Sequence, residues 1–204
     1  MSIYLIRHGE TALNVARVVQ PADTPLSARG VVQAQALGER LGALGVTAIL
    51  SSDLPRALQT AQAIAAATGA PIETSALLHE RNFGDLRGQS YDGLGMNPMT
   101  MIDAPPHGES AEAFAQRVAQ AFALIVQRRS ALGGTLAVVT HGLLLRVLLG
   151  AHVRLPDDAT APIHLGNTSL SMIHPEAPHQ VSVLDCTRHL DGGASDDAKA
   201  LSGG

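Results

Sequence analysis

Short unbroken apolar runs alternate along the chain with longer segments whose apolar residues recur every three or four positions. Residues 2–6, 46–50 and 135–139 are runs of the first kind. A strand covered on both faces needs continuous rather than alternating apolarity, so each is predicted as a central strand. In the second kind, Ser27 can cap a helix whose apolar stripe is Val31, Ala34, Leu37, Leu41 and Leu44, and Gly45 stops it. Pro55, tolerated in a first turn, opens another helix with Leu58, Ala61 and Ile64/Ala65 inward and Gly69 at its end. Ser110 caps a long helix carrying Phe114, Val118, Phe122 and Ile125 on one face, and "GLLLRVLLG" (142–150) predicts a helix packed deep. Two further strands are expected at 169–173 and 180–184.

Residues 71–78 are part strand-like and part ambiguous. Residues 84–107, rich in Gly, Pro, Met and Asp without period, predict an excursion covering one face. Strands alternating with helices of ten or more residues indicate an α/β fold, a three-layer sandwich with a mostly parallel central sheet flanked by helices. With 204 residues the chain is expected to bury roughly 70% of its unfolded surface as a single domain over 1–190. The tail 191–204 has almost nothing to bury and is expected to be disordered.

Composition narrows the options. At 46% hydrophobic and 16% charged residues this is an ordinary globular sequence. A net charge of −4 argues against nucleic acid, which needs clustered cations. Lys199 is the sole lysine, so every cation of the folded part is an arginine, suited to bidentate grip on phosphate or carboxylate. Cys186 is the sole cysteine, so no internal disulfide forms. No run reaches the length of a membrane span and no signal peptide is seen, so no membrane partner and a cytoplasmic location are expected.

Ligands of open α/β sheets bind beyond the carboxyl ends of the strands, and polar residues stand there. The first run ends in Arg7-His8-Gly9, the second leads through Ser51-Ser52-Asp53 to Arg56, and the third ends in Thr140-His141-Gly142. Glu80 follows the ambiguous segment. The glycines would allow sharp turns and close ligand approach, and the helix starts after Asp53 and His141 would add N–H groups for an anion. A phosphoryl group suits this set: Arg7, Arg56 and a protonated His141 as cations, a neutral His8 as nucleophile, and Glu80 as general acid and then base. No metal-ligand spacing is present, and the other seven histidines read as surface or loop residues. A solvated Glu80–Arg81 ion pair is the competing reading for Glu80.

"RHGETALN", "SSDLPRALQTA", "LHERNFGDLRG", "PPHGES", "VVTHGLLLR" and "LGNTSLSMI", in this order, resemble the histidine phosphatase superfamily, also called phosphoglycerate mutase-like, over residues 2 to 186. The resemblance implies that fold, a nucleophile at His8, a second arginine at Arg56, an acid at Glu80 and a second histidine at His141. It also implies accessory phosphate contacts at Asn14, Gln20 and Gly142, and no cofactor. His107 and Leu143 depart from the family pattern and are expected at the pocket mouth.

The expected activity is metal-independent hydrolysis of a small phosphomonoester. The alternatives are a phosphoglycerate mutase and a non-catalytic phospho-ligand binder. The family's mutases carry an inserted basic segment after the acid motif, whereas here that region has only Arg81 and Arg87. The oligomeric state is open, a homodimer among the options.

Overall fold

A computed structural model describes residues 2–157, 159 and 163–190. The tail 191–204 lies outside the described residues. Six strands form one sheet: β1 (Ile3–Arg7), β2 (Val46–Ser51), β3 (Ile72–Thr74), β4 (Thr135–Thr140), β5 (Leu170–Ile173) and β6 (Val181–Cys186), in the order β3-β2-β4-β1-β5-β6. The pairs β3–β2, β2–β4 and β4–β1 are parallel, while β1–β5 and β5–β6 are antiparallel. The expected mostly parallel sheet is therefore found, with the antiparallel strands at one edge.

Alternate residues of the strands feed two cores. Ile3 and Leu5 of β1, Leu50 of β2 and Leu136 and Val138 of β4 face α4 (Ala111–Ser130) and α5 (Gly142–His152), meeting Phe114, Val118, Ile125, Leu144 and Leu148. Tyr4, Ile6, Ile49, Ala137 and Val139 face the other way, toward α2 (Ala28–Ala43) and α3 (Pro55–Thr68), meeting Leu37, Leu41, Ala57, Ala61 and Ile64. Continuous apolar runs are what a sheet buried on both faces requires.

The caps match the sequence: Ser27 Oγ accepts from Gly30 N, Ser110 Oγ accepts from Ala113 N, Pro55 is the first residue of α3, and Gly69 ends α3 with φ 72°. The α2 stripe differs at its ends. Val31 and Leu44 are 43% and 41% exposed, and Gly30, Gln33 and Gly38 are buried instead. The inward face of α2 turns on glycines because it lies tight on α3: a Cβ on Gly38 would sit 2.7 Å from the Ala63 carbonyl oxygen. A hydrophobicity pattern cannot score such positions.

The segment 71–78 resolves into β3 and a 3-10 turn, Ala76–Leu78. The excursion consists of three further 3-10 turns, Gly84–Leu86, Tyr91–Leu94 and Pro98–Thr100. It is stitched to the loop after the short helix α1 (Ala12–Val15) by Val19 N to Gln89 O at 2.9 Å, Gly88 N to Val19 O at 2.7 Å and Tyr91 N to Arg17 O at 2.9 Å. Leu86, Tyr91, Leu94 and Met99 pack against the α4/α5 core, so the excursion does cover one face.

Candidate active site

Strand register assembles the site. Arg7 is paired with Thr140 and Ser51 with Val139, so β1, β2 and β4 end side by side, and His8, Ser52 and His141 are the next residues out. The ladder continues for one step past the strands, with His8 N donating to Thr140 O and Ser52 N to Val139 O, both at 2.9 Å.

The imidazoles of His8 and His141 lie against each other, centroids 5.1 Å apart, at 3% and 0% exposure. His8 Nδ1 is 2.7 Å from Gly9 O. A carbonyl only accepts, so Nδ1 carries the hydrogen and Nε2 is left with its lone pair. Burial, then the cations Arg56 and Arg7, hold the His8 pKa well below the ordinary histidine value. Its ring is neutral at neutral pH.

His141 departs from expectation. Burial first, then Arg56 and His8, hold its pKa well down too, so the ring is neutral rather than the expected cation. Its Nε2 is 2.9 Å from Ser52 Oγ, and its buried Nδ1 has no partner.

Arg7 and Arg56 are buried, with pKa values lowered to about 10, chiefly by desolvation, and so remain charged. Arg7 donates to Leu165 O at 2.7 Å, and Arg56 to Pro21 O and Ala22 O at 3.2 and 3.4 Å. Each therefore keeps donors in hand, and neither buried Nε has a partner.

Glu80 reaches the start of α5. Its Oε2 accepts from Leu143 N at 2.9 Å and its Oε1 from Leu144 N at 3.2 Å and Arg81 N at 3.0 Å. These helix N–H groups, expected to face a substrate anion, are thus taken by a protein carboxylate. The solvated Glu80–Arg81 pair does not occur. Arg81 is 3% exposed and donates to the carbonyls of Glu109, Met101 and Asp103 at 3.0, 2.7 and 3.3 Å.

A cleft of about 470 Å³, measured out to open solvent, is lined by Arg7, His8, Asn14, Gln20, Arg56, Glu80 and Gly142. Of the eight residues singled out by sequence, seven line it, and His141 packs against one of them, His8. Asn14 Oδ1 is occupied by Thr11 N at 3.1 Å, and Gln20 Oε1 accepts from Thr11 Oγ1 at 3.0 Å, which turns the amide nitrogen of each away from Thr11. Gly9 is needed by the fold: a Cβ there would stand 2.7 Å from Gly30 O. His107 and Leu143 are not at the mouth. His107 is exposed and pairs with Asp85 at 2.9 Å, and Leu143 belongs to the α4/α5 core.

Several contributors are not singled out as site residues by the sequence, although Asn167 and Thr168 lie in "LGNTSLSMI" and Phe83 and Arg87 in "LHERNFGDLRG". Asn167 Nδ2 donates to His8 O at 3.1 Å, and Thr168 N lies 3.1 Å from Arg7 O, so the turn before β5 supports the nucleophile's backbone. Arg117, on α4, donates to Leu77 O, His79 O and Glu80 O at 3.0, 2.7 and 3.3 Å, and holds Glu109 through two bonds of 2.9 and 2.8 Å. It fixes the segment that carries Glu80. Val19, Leu54, Arg81, Phe83, Arg87, Tyr91 and Met99 complete the cleft. Among the other histidines, His79 pairs with Asp53, while His152 and His179 both pack on Phe122.

Among the described residues no group of three or more His, Cys, Asp or Glu could hold a metal ion, and no helix is long and apolar enough to cross a membrane.

The family model described as histidine phosphatase superfamily (branch 1) matches residues 3–185. A probable phosphoglycerate mutase GpmB of Erwinia tasmaniensis is 33% identical over 189 residues, with 87% of each chain covered. One of Salmonella newport is 36% identical, covering 85% of this chain and 84% of that protein. Among solved structures, a putative alpha-ribazole-5'-P phosphatase from Escherichia coli superposes with TM-score 0.79 at 28% identity, over 92% of this chain and 97% of that one. A mycobacterial glucosyl-3-phosphoglycerate phosphatase gives 0.75 at 28%, over 91% and 98%. The chain belongs to the histidine phosphatase superfamily.

Proposed function

We propose that this superfamily member is a metal-independent phosphatase that hydrolyses a small phosphomonoester through a phosphohistidine on His8. The observation that carries the reading is the His8 tautomer: Nδ1–H is committed to Gly9 O, which leaves Nε2 as a neutral nucleophile. In the first step Nε2 bonds to phosphorus, the P–O bond to the leaving group breaks, and Glu80 delivers a proton to the departing oxygen. In the second, water attacks phosphorus, Glu80 takes its proton, and the P–N bond breaks to free inorganic phosphate and neutral imidazole. Arg7 and Arg56 meet the charge that spreads over the phosphoryl oxygens. A phosphoryl dianion in the cleft would also favour the protonated His141 ring that burial beside Arg56 and Arg7 disfavours.

The structural relatives named as phosphatases support hydrolysis. The names of the curated relatives favour a second reading, a phosphoglycerate mutase, in which the phosphoryl group returns to substrate.

Rapid quench with a ³²P-labelled monoester should trap label on the wild-type protein and none on His8→Ala, whose turnover falls by at least about 10³-fold. EDTA should leave turnover unchanged, and chelator-sensitive turnover would overturn the metal-independent reading. Interconversion of 2- and 3-phosphoglycerate outrunning phosphate release would give the assignment to the mutase.

A further inference from the structure

One turn, residues 165–169, holds both Arg7 and His8. Leu165 O accepts from Arg7 Nη1 at 2.7 Å, Asn167 Nδ2 donates to His8 O at 3.1 Å, Thr168 N donates to Arg7 O and His8 O at 3.1 and 3.3 Å, and Ser169 O accepts from Arg7 N at 3.3 Å. Thr168 sits at φ 56°, in the left-handed region where a β-branched residue is strained, so its surroundings must over-determine it. Its hydroxyl supplies part of that hold. Thr168 Oγ1 gives its hydrogen to Asn167 O at 2.7 Å, so toward His189 Nε2, 3.0 Å away, it only accepts. His189 is therefore the donor. Its Nδ1 lies 3.3 Å from Arg40 Nη1, and a guanidinium only donates, so Nδ1 accepts. The same Arg40, on α2, also donates to Cys186 O and Sγ at 3.4 and 3.2 Å. Asp185 Oδ1 ties the turn a second time, accepting from Gly166 N at 2.6 Å.

None of residues 185–190 lines the cleft, yet they fasten the turn that fastens the nucleophile. We infer that His189 is a positioning residue for His8: by holding the strained Thr168 it fixes the backbone that carries the imidazole, and so sets how Nε2 is aimed at phosphorus. This rests on the phosphohistidine reading for its chemistry. The bond from His8 Nδ1–H to Gly9 O joins neighbouring residues, so it orients the ring relative to its own backbone and travels with that backbone. A shift of the His8 carbonyl therefore shifts the nucleophile, and a misplacement of about 1 Å costs up to about 10²-fold in rate. Arg56 is held separately, by Pro21 O and Ala22 O, so a loosened turn acts on kcat more than on KM.

Steady-state hydrolysis of p-nitrophenyl phosphate reads the aim of His8. His189→Leu should lower kcat about tenfold with KM changed less than about twofold. His189→Gln, whose amide nitrogen can donate from the place of Nε2, should recover most of that loss. Thr168→Val should cost a similar factor and Thr168→Ser, which keeps the hydroxyl, much less. The double variant His189→Leu/Thr168→Val should be no slower than the slower single variant, because both substitutions remove one and the same contact. Full kcat in His189→Leu, equal falls in its Leu and Gln variants, or losses at the two positions that multiply, overturn the role. If Thr168→Val does not fold, the Leu and Gln variants of His189 decide by themselves. If the wild-type protein hydrolyses no phosphomonoester, the phosphatase reading fails, and amide hydrogen exchange at Thr168, followed by NMR, decides the brace. Exchange at least about tenfold faster in His189→Leu than in the wild type sustains it, and an unchanged rate overturns it.

Discussion

On the sheet side of the cleft, Arg7, His8 and His141 follow directly from paired strand ends and are at most 3% exposed. On the excursion side, Arg87, Tyr91 and Met99 come from a run of 3-10 turns and their flanks, a region where Met96 and Ile102 are 52% and 78% exposed. The first wall is fixed by β-ladder bonds and two apolar cores, so its side chains cannot move without moving the fold. The second is fixed by a few backbone bonds to the loop after α1 and by a partial apolar anchor. Reactive groups thus stand on the part of the molecule that tolerates least, and the opposite wall stands on the part that tolerates most. Glu80 lies between them, in a segment that is neither strand nor core, and it depends on Arg117.

That dependence is where the comparison is easiest to break. Arg117→Ala should lower kcat by up to about 10²-fold through misplacement of Glu80, with KM changing less. It should also cost roughly 2–4 kcal/mol, because Glu109 and three carbonyls lose their donor in a half-buried setting. Steady-state kinetics with urea melts would check both, and a variant that is destabilised yet retains full kcat would show that Glu80 needs no such support.

Acid should act on the sheet wall. The folded pKa values of His8 and His141 lie well below 6.5, whereas the unfolded chain titrates near 6.5. Below pH 6.5 the unfolded state binds more protons, so stability is full above that pH and falls as the pH drops toward the folded values. At pH 5.5 each buried histidine therefore subtracts from stability, because the unfolded chain takes up a proton that the buried ring resists. Urea melts at pH 7.5 and 5.5 should show it, and His141→Gln should show a smaller loss. Equal acid sensitivity in the two proteins would place the effect elsewhere.

The smallest effect is expected on the excursion. His107 sits at φ 57°, a backbone conformation that favours glycine, and its exposed pair with Asp85 is screened by solvent. His107→Gly should leave turnover unchanged and hold or raise the thermal midpoint. A fall of several degrees in differential scanning calorimetry would mean that the His107–Asp85 pair carries the loop.

The apolar runs 2–6, 46–50 and 135–139 and the cap residues Ser27, Pro55, Gly69 and Ser110 fixed the central strands and the helices, because burial on both faces and orphaned helix-end groups are local demands written residue by residue. The same locality placed Arg7, His8, Arg56, Glu80 and His141 at element ends. Only the tertiary structure decided how those ends combine. The β1–β4–β2 register sets two histidine rings 5.1 Å apart, and burial beside two arginines makes the His141 imidazole neutral rather than the expected cation. Glu80 is spent partly on the start of α5, Arg117 enters from α4 with no motif to mark it, and Asn167, inside the "LGNTSLSMI" stretch, reaches the His8 backbone across the sheet edge. A residue's charge state and its partners depend on what packs around it, and that is a property of the assembled layers rather than of any stretch of chain.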